Sequence, residues 1–161
     1  TGAYIGANAV IQSLKMEGFP ELSSKKITSY ETKIGDMSKM LQMQDYFPEE
    51  NIVSVSEFFD SEVEILYSKK SSALYNRKAK STINNGKELY VVGDSFANYL
   101  FDSLMHVFDE SVVIHRNDYK AGMAEKEKTD IVLFEFVERH IGQAKNMADI
   151  FIPKSDVKKE D

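Results

Sequence analysis

The sequence predicts an α/β domain with a three-layer, mostly parallel sheet and helices on both faces. Three short apolar runs, Leu89–Val92, Ser111–His115 and Thr129–Phe136, have the composition of buried strands and alternate with two helical segments. This order predicts right-handed crossovers that join parallel strands. Both faces of such a sheet are apolar and are expected to be buried under helices. At 161 residues the chain fits one domain, which we expect over residues 1–153 with a solvated tail at 154–161.

The amino-terminal part predicts smaller elements. Gly2–Met16 places its apolar residues on one helical face, and Met37–Gln44 has the pattern of a short helix. Lys25–Lys33 alternates as an irregular strand would, and Val63–Tyr67 as a half-exposed strand would. Between these elements, Asp45–Asn51 is predicted to be a loop around a proline.

A basic tract lies between Ser68 and Lys87 and is predicted to form a surface hairpin or loop. The alternative is a binding strip for an acidic polymer, although a run of charge is more often a solvated face. The cations that would form such a strip begin with Lys69, Lys70, Arg77 and Lys78.

Composition excludes several classes of function. The net charge of −6 argues against a general nucleic-acid binder, because phosphate backbones need clustered Lys and Arg. The chain has no cysteine, which excludes disulfides, thiolate metal sites and a cysteine nucleophile. No apolar run approaches the roughly 20 residues that span a bilayer. The spacing of His, Asp and Glu predicts no metal site, and the single glycine after Val92 predicts no dinucleotide cofactor.

Ser95 stands in the predicted turn between the strand Leu89–Val92 and the helix Ala97–Phe108. A serine there lies at the carboxyl end of a strand and at the positive end of a helix dipole, where an oxyanion can be stabilised. The backbone N–H groups of Ser95 and Phe96 are candidate oxyanion donors, and a side chain from Arg116 or Asn117 could join them. The alternative is that Ser95 only caps the helix.

A nucleophilic serine needs a base and an acid that orients the base. Among the chain's 3 histidines, His106 lies too far along the helix, whereas His115 and His140 follow strand ends. Glu138 precedes His140 by two residues, which makes this pair the only local dyad candidate. For each strand-end histidine the simpler interpretation is a local hydrogen bond, and Glu138 could equally pair with Arg139.

Five stretches together resemble one family. Tyr90–Phe96, with its Gly-Asp-Ser, resembles the nucleophile block of SGNH hydrolases. Phe108–Tyr119 and Thr129–Arg139 narrow this to the SGNH-like polysaccharide O-acetyltransferases related to the alginate acetylation proteins, also called the DHHW group. Gly2–Gly6 and Gly35–Leu41 are also similar to stretches of that family.

The resemblance implies that Ser95 accepts an acetyl group and passes it to a sugar hydroxyl. In that family the Asp and His of the triad lie in an Asp-x-His-Trp motif, just before the helix that Gly2–Gly6 resembles. The chain is therefore expected to be the carboxyl-terminal part of an SGNH-like catalytic domain, incomplete and inactive alone. The parent protein would act on a polysaccharide outside the cytoplasm, at the cell surface, in the cell wall or in the periplasm. A membrane-bound partner would supply acetyl groups, and an upstream segment could provide a membrane anchor.

Two other functions remain open. The chain could be a glycan-binding or assembly module without turnover, in which the basic tract matters most. It could also be a self-contained serine esterase that uses Glu138 and His140 with Ser95. In all three interpretations the partner is a glycan or a small ester, and no nucleic acid or metal is expected.

Overall fold

The computed structural model describes residues 2–16, 29–33, 42, 49–52, 58–71 and 74–137. Its helices are α1 (Gly2–Ser13), α2 (Ala97–Leu104) and the single turn α3 (Met123–Lys126). Its strands are β1 (Ser29–Lys33), β2 (Glu49–Ile52), β3 (Val63–Ser71), β4 (Leu74–Ser81), β5 (Glu88–Gly93), β6 (Glu110–His115) and β7 (Ile131–Phe134).

Five strands form one sheet in the order β3-β4-β6-β5-β7, and β1 and β2 form a separate antiparallel pair. Strands β5, β6 and β7 are parallel, whereas β4 is antiparallel to both β3 and β6. The register places Gly93 of β5 beside His115 of β6, and Val92 of β5 beside Phe134 of β7. The carboxyl ends of the three parallel strands therefore meet at one edge of the sheet.

The predicted three-layer, mostly parallel sheet with helices on both faces is wrong. The three apolar runs do form parallel strands, as predicted, but the sheet is mixed and the described residues contain few helices. The difference lies in the basic tract, which forms most of the β3–β4 hairpin and extends the sheet beside β6. Strand β4 lacks the alternation of apolar and polar residues that marks a half-buried strand. It can still lie inside the sheet, because its cations Arg77 and Lys78 form ion pairs with carboxylates of neighbouring elements.

The alternation of side chains along β5 divides the core between the two faces of the sheet. Leu89 and Val91 pack under α1 and α2 in the larger cluster. Tyr90 and Val92 pack on the opposite face with Ile114 of β6. That second face is covered by a loop and by the one-turn α3, through residues such as Tyr119 and Ala124. Both faces of β5 are thus dry, which explains its continuous apolar run.

Elsewhere the predictions hold in part. The helix predicted at Gly2–Met16 is confirmed as α1, and β1 lies within the irregular strand predicted at Lys25–Lys33. The loop predicted at Asp45–Asn51 is wrong at its end, where β2 begins. The helix predicted at Met37–Gln44 lies outside the described residues apart from Gln42. In the described ranges no helix is both long and apolar enough to cross a membrane.

Candidate active site

The candidate site is the turn that joins β5 to α2. The three parallel strand ends are tied together there by backbone hydrogen bonds. The Arg116 N–H donates to the carbonyl oxygen of Gly93 at 2.9 Å, and the Glu135 N–H donates to that of Val92 at 2.9 Å. The end of β6 at Arg116 thus lies beside the Ser95 turn, whereas Glu138, Arg139 and His140 lie outside the described residues.

Asp94, rather than Ser95, satisfies the backbone at the start of α2. Its side-chain Oδ1 accepts the Phe96 N–H at 3.0 Å and its Oδ2 accepts the Val137 N–H at 3.3 Å, while the residue is only 6% exposed. Phe96 occupies the N-cap position with helical backbone angles and has no side-chain cap. The alternative that Ser95 is merely a helix cap is therefore not what the structure shows.

The Ser95 side chain lies at a cavity of about 460 Å³ between the β3–β4 hairpin and the first turns of α2. No described residue hydrogen-bonds its hydroxyl. Tyr75 and Tyr99 line the same cavity and are 48% and 63% exposed. The remaining lining side chains are polar: Ser68, Arg77, Asn98 and Asp102.

Arg77 holds the wall of this cavity. Its guanidinium lies 2.8 Å from Asp102 Oδ1 and donates to the carbonyl oxygen of Asn98 at 3.1 Å. The same group lies 4.9 Å from the ring centroid of Phe101, a cation–π distance. The cavity therefore presents a balanced pair of charges rather than a free cation at Arg77.

The predicted oxyanion residues lie close to Ser95 along the chain or at the adjacent strand end. The Phe96 N–H is engaged by Asp94, so it can serve an oxyanion only by leaving that carboxylate. Arg116 and Asn117 lie in the turn after β6, with Arg116 half-buried and Asn117 exposed. These roles stay predictions.

The two described histidines have structural partners. His115 is buried, and its Nδ1 lies 3.3 Å from the Asn117 N–H, which is the local hydrogen bond expected of a strand-end histidine. His106 is buried, and its ring stacks on Phe59 with centroids 4.6 Å apart. Neither residue lines the Ser95 cavity.

Sequence reasoning missed Glu135, the first residue after β7. Its Oε2 accepts the Asp94 N–H at 3.3 Å, so its half-buried carboxyl group lies against the Ser95 turn. Burial raises the pKa of Glu135, and the negative charge of Asp94 raises it further, although the hydrogen bond from the Asp94 N–H partly opposes this shift. A carboxylate directly after an apolar strand is the signal that could have identified it.

A second polar cluster joins the hairpin to the end of β6. Asp118 Oδ2 accepts hydrogen bonds from Ser71 Oγ and, at 2.8 Å, from Asn76 Nδ2, and these bonds lower the pKa of Asp118. Asn76 Oδ1 in turn accepts the His115 N–H at 2.7 Å. Because these groups satisfy one another, the cluster fixes the hairpin and has no evident chemistry.

A cavity of about 430 Å³ lies on the opposite face of the sheet, with Tyr90 and Met123 in its lining. Burial raises the pKa of Tyr90 to about 12. Lys78 also lines this cavity, but its Nζ is paired with Glu110 at 3.1 Å and with Glu127 at 2.8 Å. Within the described ranges no group of three or more His, Asp or Glu side chains could hold a metal ion.

Comparison with known proteins gives one structural relative. The crystal structure of a DHHW family protein from Eubacterium siraeum DSM 15702 matches this chain with a TM-score of 0.70 at 17% sequence identity. The match covers 95% of this chain and 61% of that protein, so the chain spans less than two thirds of its relative's length. No protein-family model and no curated protein matches the sequence. At this identity the match establishes a shared fold, and the chain folds like a DHHW family protein.

Proposed function

We propose that the protein is an SGNH hydrolase-like O-acetyltransferase or acetylesterase that acts on a cell-surface polysaccharide outside the cytoplasm. The observation that carries this proposal is the state of Ser95. Its hydroxyl lies at a cavity at the carboxyl end of a buried parallel strand and caps no helix, because Phe96 holds the N-cap position and Asp94 accepts the Phe96 N–H. A serine with no structural role at that position is well placed to react with a bound ester.

The reaction proceeds through an acetyl-serine intermediate. A base removes the proton of Ser95 Oγ as this oxygen bonds to the acetyl carbon, and the donor oxygen leaves with that proton. A sugar hydroxyl or water then attacks the same carbon and gives its proton to the base, the bond between that carbon and Ser95 Oγ breaks, and the base returns the proton to Oγ. The base and its orienting carboxylate belong, in this proposal, to the segment that the family resemblance places before Thr1. A membrane-bound partner is the proposed source of acetyl groups.

The lining of the Ser95 cavity supports a sugar as acceptor. Tyr75 and Tyr99 offer partly exposed rings on which a sugar ring can stack, and Ser68 and Asn98 offer polar groups for its hydroxyls. The binding-strip alternative is less well supported, because Arg77 and Lys78 are already paired with carboxylates. For the self-contained esterase, the described residues provide no observation about Glu138 and His140.

The test uses the full-length protein, a small acetyl ester and the variant Ser95→Ala. Loss of the nucleophile should lower kcat on the order of 10⁴-fold or more, and the acetyl adduct detected by mass spectrometry should disappear. Thr129→Ala is the matched control, because it removes a hydroxyl at the opposite end of the parallel strands. Wild-type activity that survives in Ser95→Ala would refute the proposal. The isolated chain 1–161 is expected to be inactive.

A further inference from the structure

Glu135 contacts the Ser95 turn through both its backbone and its side chain. Its N–H donates to the Val92 carbonyl oxygen at 2.9 Å, and its Oε2 accepts the Asp94 N–H at 3.3 Å. The contact is close, because a Cβ atom placed on Gly93 would lie 2.9 Å from that same Oε2. Glu135, the residue that follows β7, therefore holds the turn by two hydrogen bonds.

Asp94 transmits this support to both sides of Ser95. The Asp94 carboxylate accepts the N–H of Phe96, the next residue after Ser95, and the N–H of Val137 on the β7 side. Ser95 makes no hydrogen bond of its own to a described residue, so the position of its hydroxyl depends on its two neighbours. One neighbour, Phe96, is held by the Asp94 carboxylate, and the other, Asp94, is held by Glu135.

We propose that Glu135 is a positioning residue for Ser95, and that its carboxyl group fixes Asp94 and thereby the turn that presents the Ser95 hydroxyl. The inference rests on the proposed function, because the position of Ser95 matters to a rate only if Ser95 reacts. Ionisation of Glu135 would place a second negative charge beside the Asp94 carboxylate, and this repulsion would act against the hydrogen bond from the Asp94 N–H to Glu135 Oε2 that holds the turn.

Other titratable groups stand on the elements around Glu135. Strand β6 ends in His115 followed by Arg116, and α2 carries Tyr99 and Asp102. Asp102 is neutralised by Arg77, and the electrostatic cause that acts on Glu135 is Asp94.

Kinetics of acetyl ester hydrolysis by the full-length protein test the role. Glu135→Ala should lower kcat by about 10- to 100-fold, the cost of a nucleophile displaced by about 1 Å. KM should stay nearly constant, because Glu135 does not line the Ser95 cavity. Glu135→Gln, which keeps both an acceptor and a donor, should retain kcat within about threefold and lose the alkaline fall in kcat caused by Glu135 ionisation. Glu64→Gln, an exposed carboxyl change on β3, should leave the whole pH profile unchanged.

Amide NMR spectra of the same proteins separate this inference from the proposed function. In the wild type, the Phe96 and Val137 amide signals should shift with pH as Glu135 titrates, and this shift should vanish in Glu135→Gln. If the wild type hydrolyses no acetyl ester, the proposed function fails, and the amide titration still decides whether Glu135 holds the turn. The positioning role would be overturned if the Phe96 and Val137 amide signals shifted with pH in Glu135→Gln as they do in the wild type. It would also be overturned if Glu135→Ala had the kcat of the wild type. If Glu135→Ala does not fold, the pH profile and amide titration of Glu135→Gln decide alone.

Discussion

At the scale of single residues, the Ser95 turn depends on the missing side chain of Gly93. A Cβ atom there would lie 2.6 Å from Ala97 Cβ and 3.1 Å from the Glu135 carbonyl oxygen. The Glu135 side chain could move away, but Ala97 and the backbone of Glu135 could not do so without shifting α2 or β7. We therefore expect Gly93→Ala to lower the free energy of unfolding by about 1 to 3 kcal/mol, measured by urea denaturation.

Gly6→Ala is the matched control for this substitution. A Cβ atom at Gly6 would lie 3.5 Å from Leu100 Cδ1, an ordinary contact, and the residue lies inside α1. Because alanine favours a helix by up to about 1 kcal/mol over glycine, Gly6→Ala should be neutral or stabilising. Equal losses in both variants would contradict the close packing inferred at Gly93.

At the scale of elements, Arg77 fastens β4 to α2. Its guanidinium makes the ion pair with Asp102, the hydrogen bond to Asn98 and the contact with the Phe101 ring. Lysine keeps the charge but cannot make these contacts together, because its ammonium is a compact point charge without the planar guanidinium that reaches Asp102 and Asn98 and faces the Phe101 ring. Arg77→Lys should therefore lower the free energy of unfolding by roughly 1 to 2 kcal/mol in urea denaturation.

The reverse exchange on the same strand provides the control. Lys80 is exposed, so Lys80→Arg should change the free energy of unfolding by no more than about 0.5 kcal/mol. A loss in Arg77→Lys as small as that of Lys80→Arg would show that the fork geometry of Arg77 does not hold the two elements together.

The elements also show how far the sequence can predict this fold. Strands β5, β6 and β7 were predictable because burial demands continuous apolar runs that are visible locally. The basic tract was predicted as a surface hairpin or loop, but the pairing of β4 with β6 was not, since the cations of β4 meet carboxylates that come later in the chain only after folding. Glu135 was missed for the same reason, because its importance arises from the pairing of β7 with β5. Ser95, in contrast, follows from the local strand–turn–helix pattern.

At the scale of the whole molecule, buried titratable groups give opposing dependences of stability on pH. The pKa of Glu135 is raised, so its contribution is present below its ordinary value of 4.5 and is lost as pH rises through the folded-state value. The pKa of Asp118 is lowered, so its contribution is present above 3.8 and is lost as pH falls through the folded-state value. Measured curves for the wild type therefore combine these effects, and differences between variants are needed to separate them.

His106 is a third group with a shifted pKa and supplies a direct test. Burial lowers the pKa of His106 from 6.5, although a hydrogen bond from its ring to the Ser61 carbonyl oxygen and the charge of Asp102 partly oppose this. As pH falls below 6.5, the unfolded chain binds a proton that the folded chain resists, so the free energy of unfolding should decrease. His106→Asn keeps a donor for Ser61 but has no group that titrates in this range.

The variant should be less stable than the wild type at neutral pH, because it loses the ring stacked on Phe59. Its free energy of unfolding should nevertheless fall less steeply as pH is lowered through the ordinary range of histidine, since the variant has no His106 that binds a proton on unfolding. Urea denaturation of both proteins at a series of pH values measures this difference in slope. Parallel curves would mean that His106 binds its proton equally well in the folded and the unfolded chain. Water would then reach the His106 ring, which is buried and stacked on Phe59 in the structure.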